Sequence, residues 1–226
     1  VANRLGDPNN SDNMIGVFLE RGLPAGEWTA RLHGRTVTRG AFHAWIERDD
    51  RGQSQFAPPH DNRYTIGTIS CGHETLVVGS YDAHKVGQPL SYFSSAGPTR
   101  DGREKPEISA PGHDVFAAHS RTNTGVIRKS GTSMAAPAVT GVVALVLAEA
   151  RARNLNLSIK QIRDIVTGAA RTGPPTVGGW DDRYGAGRIS ATVAVASVMA
   201  LSAGGSASVG TSALLPKRPA ASAKPD

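Results

Sequence analysis

Two hydrophobic periodicities divide the chain. Near the front, short apolar-polar runs are broken by Pro24, Gly26, Gly34 and Gly40. Met14 to Leu19 reads as a strand, Trp28 to His33 alternates and stops at Gly34, and Phe42 to Glu47 is entered through Gly40. Short strands in that order predict an antiparallel meander, and hence part of a β-sandwich. From about residue 65 the pattern becomes α/β. Leu76-Val77-Val78-Gly79 is a continuous apolar run, the mark of a strand covered on both faces, and Val115-Phe116-Ala117-Ala118 is another. A helix is predicted over Ser133 to Ala150. Its Val139, Val142, Val143, Leu145, Val146 and Leu147 leave almost no polar face, which predicts burial in the middle of a domain. Pro137 is read into its first turn, where a missing N–H costs little.

Ser158 and Gln161 have capping-box spacing ahead of Ile159, Ile162, Ile165 and Val166, so an amphipathic helix starts there. A further helix follows Ser190 through Val193 and Val198. Beyond residue 201 the chain is mainly Ala, Ser, Gly, Pro and Lys. It has too few apolar residues to offset the entropy of ordering, and 202–226 is predicted to be a disordered tail. The organisation that follows is a partial β-sandwich over 1–57, an α/β region over 58–201 and the tail.

Composition narrows the function classes. A hydrophobic content of 39% with 26 Gly and 14 Pro suits a loop-rich α/β protein. The net charge of +6 is spread out, and the one dense basic stretch, Lys217-Arg218, has no interleaved aromatic residues, so a nucleic-acid partner is not expected. The single cysteine, Cys71, excludes an internal disulfide and reads as a small buried filler. No run is read as reaching the length of a membrane span, and no membrane partner is expected. No signal peptide is visible. Asp7, Asn9, Asn10, Asp12 and Asn13 carry oxygen ligands suited to Ca²⁺, but the same residues favour a solvated turn, which is the preferred reading. Trp28 and Trp45 suit either strand packing, the preferred reading, or a sugar-binding platform.

The densest chemical signal is Gly131 to Gly141, GTSMAAPAVTG. Ser133 stands at a Gly-Thr-Ser turn followed at once by the long apolar run. A hydroxyl there meets backbone N–H groups and the positive end of a helix dipole, which suits a nucleophile whose attack develops negative charge. The plain alternative is that Ser133 only caps the helix. Lys129, four residues earlier, permits a Ser–Lys dyad, but a solvated lysine on the loop entering the helix is the preferred reading.

The whole string resembles the serine motif of the subtilisin-like serine proteases. Lys105-Pro106-Glu107-Ile108-Ser109-Ala110-Pro111-Gly112 is similar to the family's KPD-I-x-APG segment, with Glu107 where Asp is usual. Phe93-Ser94-Ser95-Ala96-Gly97-Pro98-Thr99 resembles its FSS-x-GPT segment, and Tyr184-Gly185-Ala186-Gly187-Arg188-Ile189 its YG-x-G-x-(V/I) segment. Residues 23–29 and 40–46 resemble the end of a jelly-roll insertion carried by some bacterial members.

The resemblance implies a subtilisin-like three-layer α/β fold on a parallel sheet, here as its C-terminal half. It also implies peptide-bond hydrolysis with Ser133 as nucleophile and oxyanion N–H donor, assisted by Thr132, with Gly131 keeping the approach open. The substrate-binding residues stay unknown. The family's Asp, its HGTH-like His segment and its Gly-Asn are absent. None of His33, His43, His60, His73, His84, His113 and His119 has the neighbours of the base. With Val1 in first place, the expectation is a chain whose front is missing, inactive alone and needing the N-terminal half of the same protease. Polypeptide substrates, no required cofactor, an unlocated structural Ca²⁺ and secretion complete what the resemblance implies. The alternatives are a non-catalytic relative acting as a scaffold, or a β-sandwich binding module fused to a protease remnant.

Overall fold

The computed structural model describes residues 1–8, 11–20, 22–38, 40–47, 52–171 and 179–201. The chain divides into two compact units, Val1–Phe42 and His43–Asp226. In the first, β1 (Ala2–Arg4) pairs antiparallel with β2 (Met14–Gly16). The second carries β3 (Val78–Tyr81), β4 (Ile108–Pro111), the hairpin β5 (Val115–Ala118) and β6 (Val126–Lys129), α1 (Thr132–Ala152), α2 (Ile159–Gly168), β7 (Ala170–Arg171), β8 (Arg188–Ile189) and α3 (Ala191–Met199).

The sheet of the second unit runs in the order β3-β4-β8-β7. β3 and β4 are parallel, from Val78 opposite Ile108 to Tyr81 opposite Pro111, and β8 joins β4 in parallel at Ser109 and Arg188. β7 closes the edge antiparallel to β8. α1 packs on β3, β4 and α3, and its buried Ala135, Val139, Val142, Val146 and Ala150 form one core with Ile108, Ala110, Val166 and Val198. Each fully enclosed Val or Ile in it contributes roughly 1.5–3 kcal/mol by leaving water. The capping box forms as read. The Ser158 hydroxyl accepts from the Gln161 N–H, and the Gln161 side chain accepts from the Ser158 N–H at 2.9 Å.

Several expectations are corrected. Trp28–His33 and Phe42–Glu47 form no strand, and in the predicted Met14–Leu19 run only Met14–Gly16 is a strand. Strands need ladder partners and a face to bury. Here Trp28, Leu32, Phe42 and Trp45 are all at least half exposed. Neither tryptophan is therefore a core residue; Trp45 stacks on His43, and the Trp28 indole N–H donates to the Pro24 carbonyl. β5 does form over Val115–Ala118, but in a solvent-facing hairpin rather than between two covered faces.

α1 is not enclosed on all sides. Val143 and Leu147 are half-buried, Leu145 is 52% exposed, and Ala136, Pro137, Ala138, Gly141, Ala144 and Ala148 also face out. Pro137 is its sixth residue, so the missing N–H is the one that would donate to the Ser133 carbonyl. By length and composition α1 is also long and apolar enough to cross a membrane, which the sequence reading did not anticipate. Cys71 is half-buried, its thiol donating to the Gly67 carbonyl. Asp7 pairs with Arg4, and the Asn13 side-chain oxygen accepts from the Gly6 N–H. Asn9, Asn10, Lys217, Arg218 and the tail lie outside the described residues.

Candidate active site

Two chain segments converge on the N-terminus of α1. β4 ends at Pro111-Gly112 and β6 at Lys129, and the Gly131 N–H donates to the Gly112 carbonyl at 2.8 Å. The Gly112 N–H in turn donates to the Tyr81 carbonyl at the end of β3, at 3.2 Å. This approach needs glycine at 112. A Cβ there would lie 2.4 Å from the Ser80 Oγ and 2.7 Å from the Gly131 oxygen. The sheet thereby delivers the chain to one point at the mouth of the helix.

Gly131 is the helix N-cap and has no side chain to supply a bond. Its carbonyl accepts from the N–H of Met134 at 2.9 Å and of Ala135 at 3.4 Å. The N–H groups of Thr132 and Ser133 stay uncommitted among the described residues, as the first turn of a helix requires. Ser133 is the second residue inside α1 and is exposed. Its hydroxyl makes no hydrogen bond among the described residues. The capping reading of Ser133 is thus excluded: a cap lies outside the first turn and spends its oxygen on a backbone N–H. What remains is a free hydroxyl, two free N–H donors and the positive end of a 21-residue helix.

Thr132 is half-buried and lines a cavity of about 70 Å³ with Ile66, Gly79, Ser94, Ser95 and Pro106. Sequence reasoning named the segments holding Ser94, Ser95 and Pro106 but assigned them no place beside the serine. A Cβ on Gly131 would meet only the Met134 sulfur at 3.6 Å and the Ser133 nitrogen at 3.7 Å, ordinary contacts. Any spatial demand for glycine there comes from the open side. Lys129 ends β6 in solvent and does not bond Ser133, so no dyad is formed. His113 follows Gly112 and stacks on Phe93 at 6.0 Å and 8°, with its Nδ1 buried and unpartnered. No acid-base group reaches Ser133 among the described residues.

The other quoted segments hold β4 in place. Lys105, 2% exposed, donates to the Thr75 carbonyl at 2.8 Å and to the Glu107 Oε1 at 2.6 Å. Arg163 of α2 reaches the same oxygen at 2.6 Å, and the Val77 N–H donates to the Glu107 Oε2 at 2.7 Å. Glu107 thus ties β3, β4 and α2 together, and the extra methylene relative to Asp lengthens its reach. Gly185, at φ +68°, lies so close to Glu107 that a Cβ would come within 2.5 Å of its carbonyl carbon. The Trp180 indole N–H donates to the Pro106 carbonyl at 2.8 Å. Lys105, Glu107, Trp180 and Gly185 aim β4 at Gly112 and, through it, at Ser133.

Two carboxylates of the second unit titrate low. Burial pushes Asp82 up, but the His84 N–H and the charges of His113, Lys85 and His84 outweigh it and hold the carboxyl below its usual range. Hydrogen bonds from Arg103 and Thr99 hold Asp101 down at about 2. Among the described residues, no group of three or more His, Cys, Asp or Glu is placed to hold a metal ion.

A model of the Subtilase family matches residues 49–187, more than half of the chain. Over 147 residues the chain is 28% identical to the serine protease AprX of Bacillus subtilis, covering 56% of this chain and 31% of AprX. It is 30% identical to pyrolysin of Pyrococcus furiosus over 118 residues, which are 46% of this chain and 8% of pyrolysin. A 59-residue stretch is 49% identical to C5a peptidase of Streptococcus pyogenes, covering 26% of this chain and 5% of that protein. Among solved structures, the CspB protease of Clostridium perfringens superposes with a TM-score of 0.55 at 26% identity, over 62% of this chain and 30% of that one. The patellamide maturation protease PatA superposes at 0.50 with 28% identity, over 61% and 48%. The chain spans less than a third of the length of these curated relatives. It belongs to the subtilase family.

Proposed function

From that membership we propose that this chain is the serine-bearing part of a subtilisin-type endopeptidase. The observation that carries the reading is the free, exposed Ser133 hydroxyl beside the two uncommitted N–H groups at the start of α1. The Ser133 Oγ attacks the scissile carbonyl carbon and loses its proton to a base. The carbonyl π pair moves onto oxygen, where the Ser133 N–H and the helix dipole meet it. Thr132 assists at the oxyanion, and Gly131 leaves the approach open. The protonated base passes that proton to the leaving nitrogen as the tetrahedral intermediate collapses and expels the amine, and water, deprotonated by the same base, then releases the acyl group. Polypeptides are the substrates, no cofactor is needed, and secretion fits the family habit.

The base and its orienting carboxylate are supplied by residues upstream of Val1, in the N-terminal half of the same protease. The outward face of α1, with Ala136, Gly141, Ala144, Leu145 and Ala148, is the surface that half covers. Loss of the base from such a triad costs on the order of a millionfold in rate, so the 226-residue chain alone is inactive. The test is the coding DNA upstream of Val1. An in-frame extension carrying an Asp segment, an HGTH-like His segment and a Gly-Asn supports the reading. A complete coding region without them makes the chain a non-catalytic relative.

A further inference from the structure

One face of the β3-β4-β8-β7 sheet packs on α1, and the other gathers positive charge. Ile108, Ala110 and Ile189 point into the α1 core, so alternation turns Ser109 and Arg188 to the opposite side. Gly79 pairs with Ser109, which sends Tyr81, two residues on, to that same side. Arg171 of β7 stands directly opposite Arg188 in the antiparallel pair, so both side chains share this face. They meet at Tyr81, which is 1% exposed. Arg171 donates to the Tyr81 hydroxyl at 3.5 Å. The Arg188 guanidinium lies 6.0 Å over the Tyr81 ring and donates to the Gly87 carbonyl at 3.1 Å. Burial raises the Tyr81 phenol above its ordinary value, and the charges of Arg171 and Arg188 act against it.

Like charges facing each other across a ladder repel. Neither arginine has a carboxylate partner among the described residues. Beside them opens a cavity of about 400 Å³, lined by Lys85, Val86, Gly87, Gln88 and Arg188. Lys85 is a third cation, shared with the Asp82 carboxylate at 3.6 Å. Three cations against one carboxylate leave a positive surplus that a dianion matches. The planar guanidinium fork suits an oxyanion, and the Gly87 carbonyl and the Tyr81 ring hold Arg188 in place before any ligand arrives. The volume falls within the range of small-molecule sites, roughly 300–1,000 Å³, and exceeds what a bare phosphate fills. We infer that this cavity binds a phosphomonoester dianion. Arg188 and Arg171 take the phosphoryl oxygens, Lys85 stands at the rim, and the ester group occupies the remaining space. Every residue named belongs to 81–188 of this chain, and neither Ser133 nor its base takes part.

The test is isothermal titration calorimetry on the complete gene product that carries this chain, at about pH 8, where a phosphomonoester is dianionic. The probes are phenyl phosphate, inorganic phosphate and benzenesulfonate, a monoanion of similar shape, at matched ionic strength. Phenyl phosphate should bind at least about tenfold more tightly than benzenesulfonate. Arg188→Gln and Arg171→Gln should each weaken phenyl phosphate at least about tenfold, the loss expected for a charged hydrogen-bond donor. Lys160→Gln, the same charge change on the exposed surface of α2, should leave its affinity in place. Equal binding of phenyl phosphate and benzenesulfonate, unchanged binding in both arginine variants, or equal weakening by Lys160→Gln overturns the proposal. Inorganic phosphate fills less of the cavity and should bind more weakly; equal affinity overturns the assignment to an ester. Arg171→Gln, on the edge strand, keeps the test decisive if Arg188→Gln fails to fold. No arm reads peptide hydrolysis, so a failed protease assay and a failed anion site remain separate results.

Discussion

The region around β4 and the stretch 1–42 show similar apolar-polar runs, yet only one of them is a folded core. Ile108 on β4 is fully enclosed by β3, β8 and α1, whereas Trp28 and Phe42, larger and equally apolar, stand more than half in water. Hydrophobic alternation specifies which face a strand would bury. It does not supply the partner. Burial requires ladder neighbours on both sides, and β4 has them in β3 and β8, while residues 28–33 have none. α1 carries the same lesson within one element. Its inward valines are packed and its outward alanines and Leu145 are bare.

The sharpest way to break this comparison is at Glu107. Replacing it with Ala leaves Lys105 buried without its carboxylate, and a loss of about 3–5 kcal/mol in urea unfolding of the second unit is expected. Ile108→Ala removes a fully buried side chain and should cost about 2–5 kcal/mol in the same measurement. Ser158→Ala deletes the α2 cap and should cost about 1 kcal/mol.

A smaller effect is expected from acid. Asp101 titrates at about 2 in the folded chain, below the ordinary value of about 3.9. The folded state therefore favours its charged form. That contribution is complete above the ordinary value and is lost as pH falls toward 2. Thermal midpoints of the parent chain and Asp101→Asn should converge over that window. Smallest of all is Trp28→Ala, within about 0.5 kcal/mol despite the size of the side chain. A loss above 2 kcal/mol there would mean that residues 1–42 have a core after all.

Legibility in the sequence followed the physics of each feature. α2 was readable because its apolar spacing and the Ser158–Gln161 box are local, and α1 because a long apolar run follows Ser133 directly. β5 was readable as an apolar run, while the strand read at Leu76–Gly79 forms two residues later, at Val78–Tyr81; β5's exposure was not readable, since nothing local says that its partner is the hairpin strand β6. Ser133 was legible as an ambiguity between cap and nucleophile. The placement of Gly131 as cap, two residues ahead, removes only the capping alternative. Glu107 drew notice as a departure from Asp, while its bonds to Lys105, Arg163 and Val77 join residues up to 56 apart and leave no local trace. The cavity beside Thr132 is hidden for the same reason, gathering Ile66, Ser94 and Pro106 from separate loops.

The most direct test of the central claim is labelling by a fluorophosphonate, which captures a serine only when a base activates it. The complete gene product should be labelled at the Ser133 peptide, with labelling abolished by Ser133→Ala and absent from the 226-residue chain alone. No label on Ser133 in the complete product, or equal labelling of the 226-residue chain, would contradict the account.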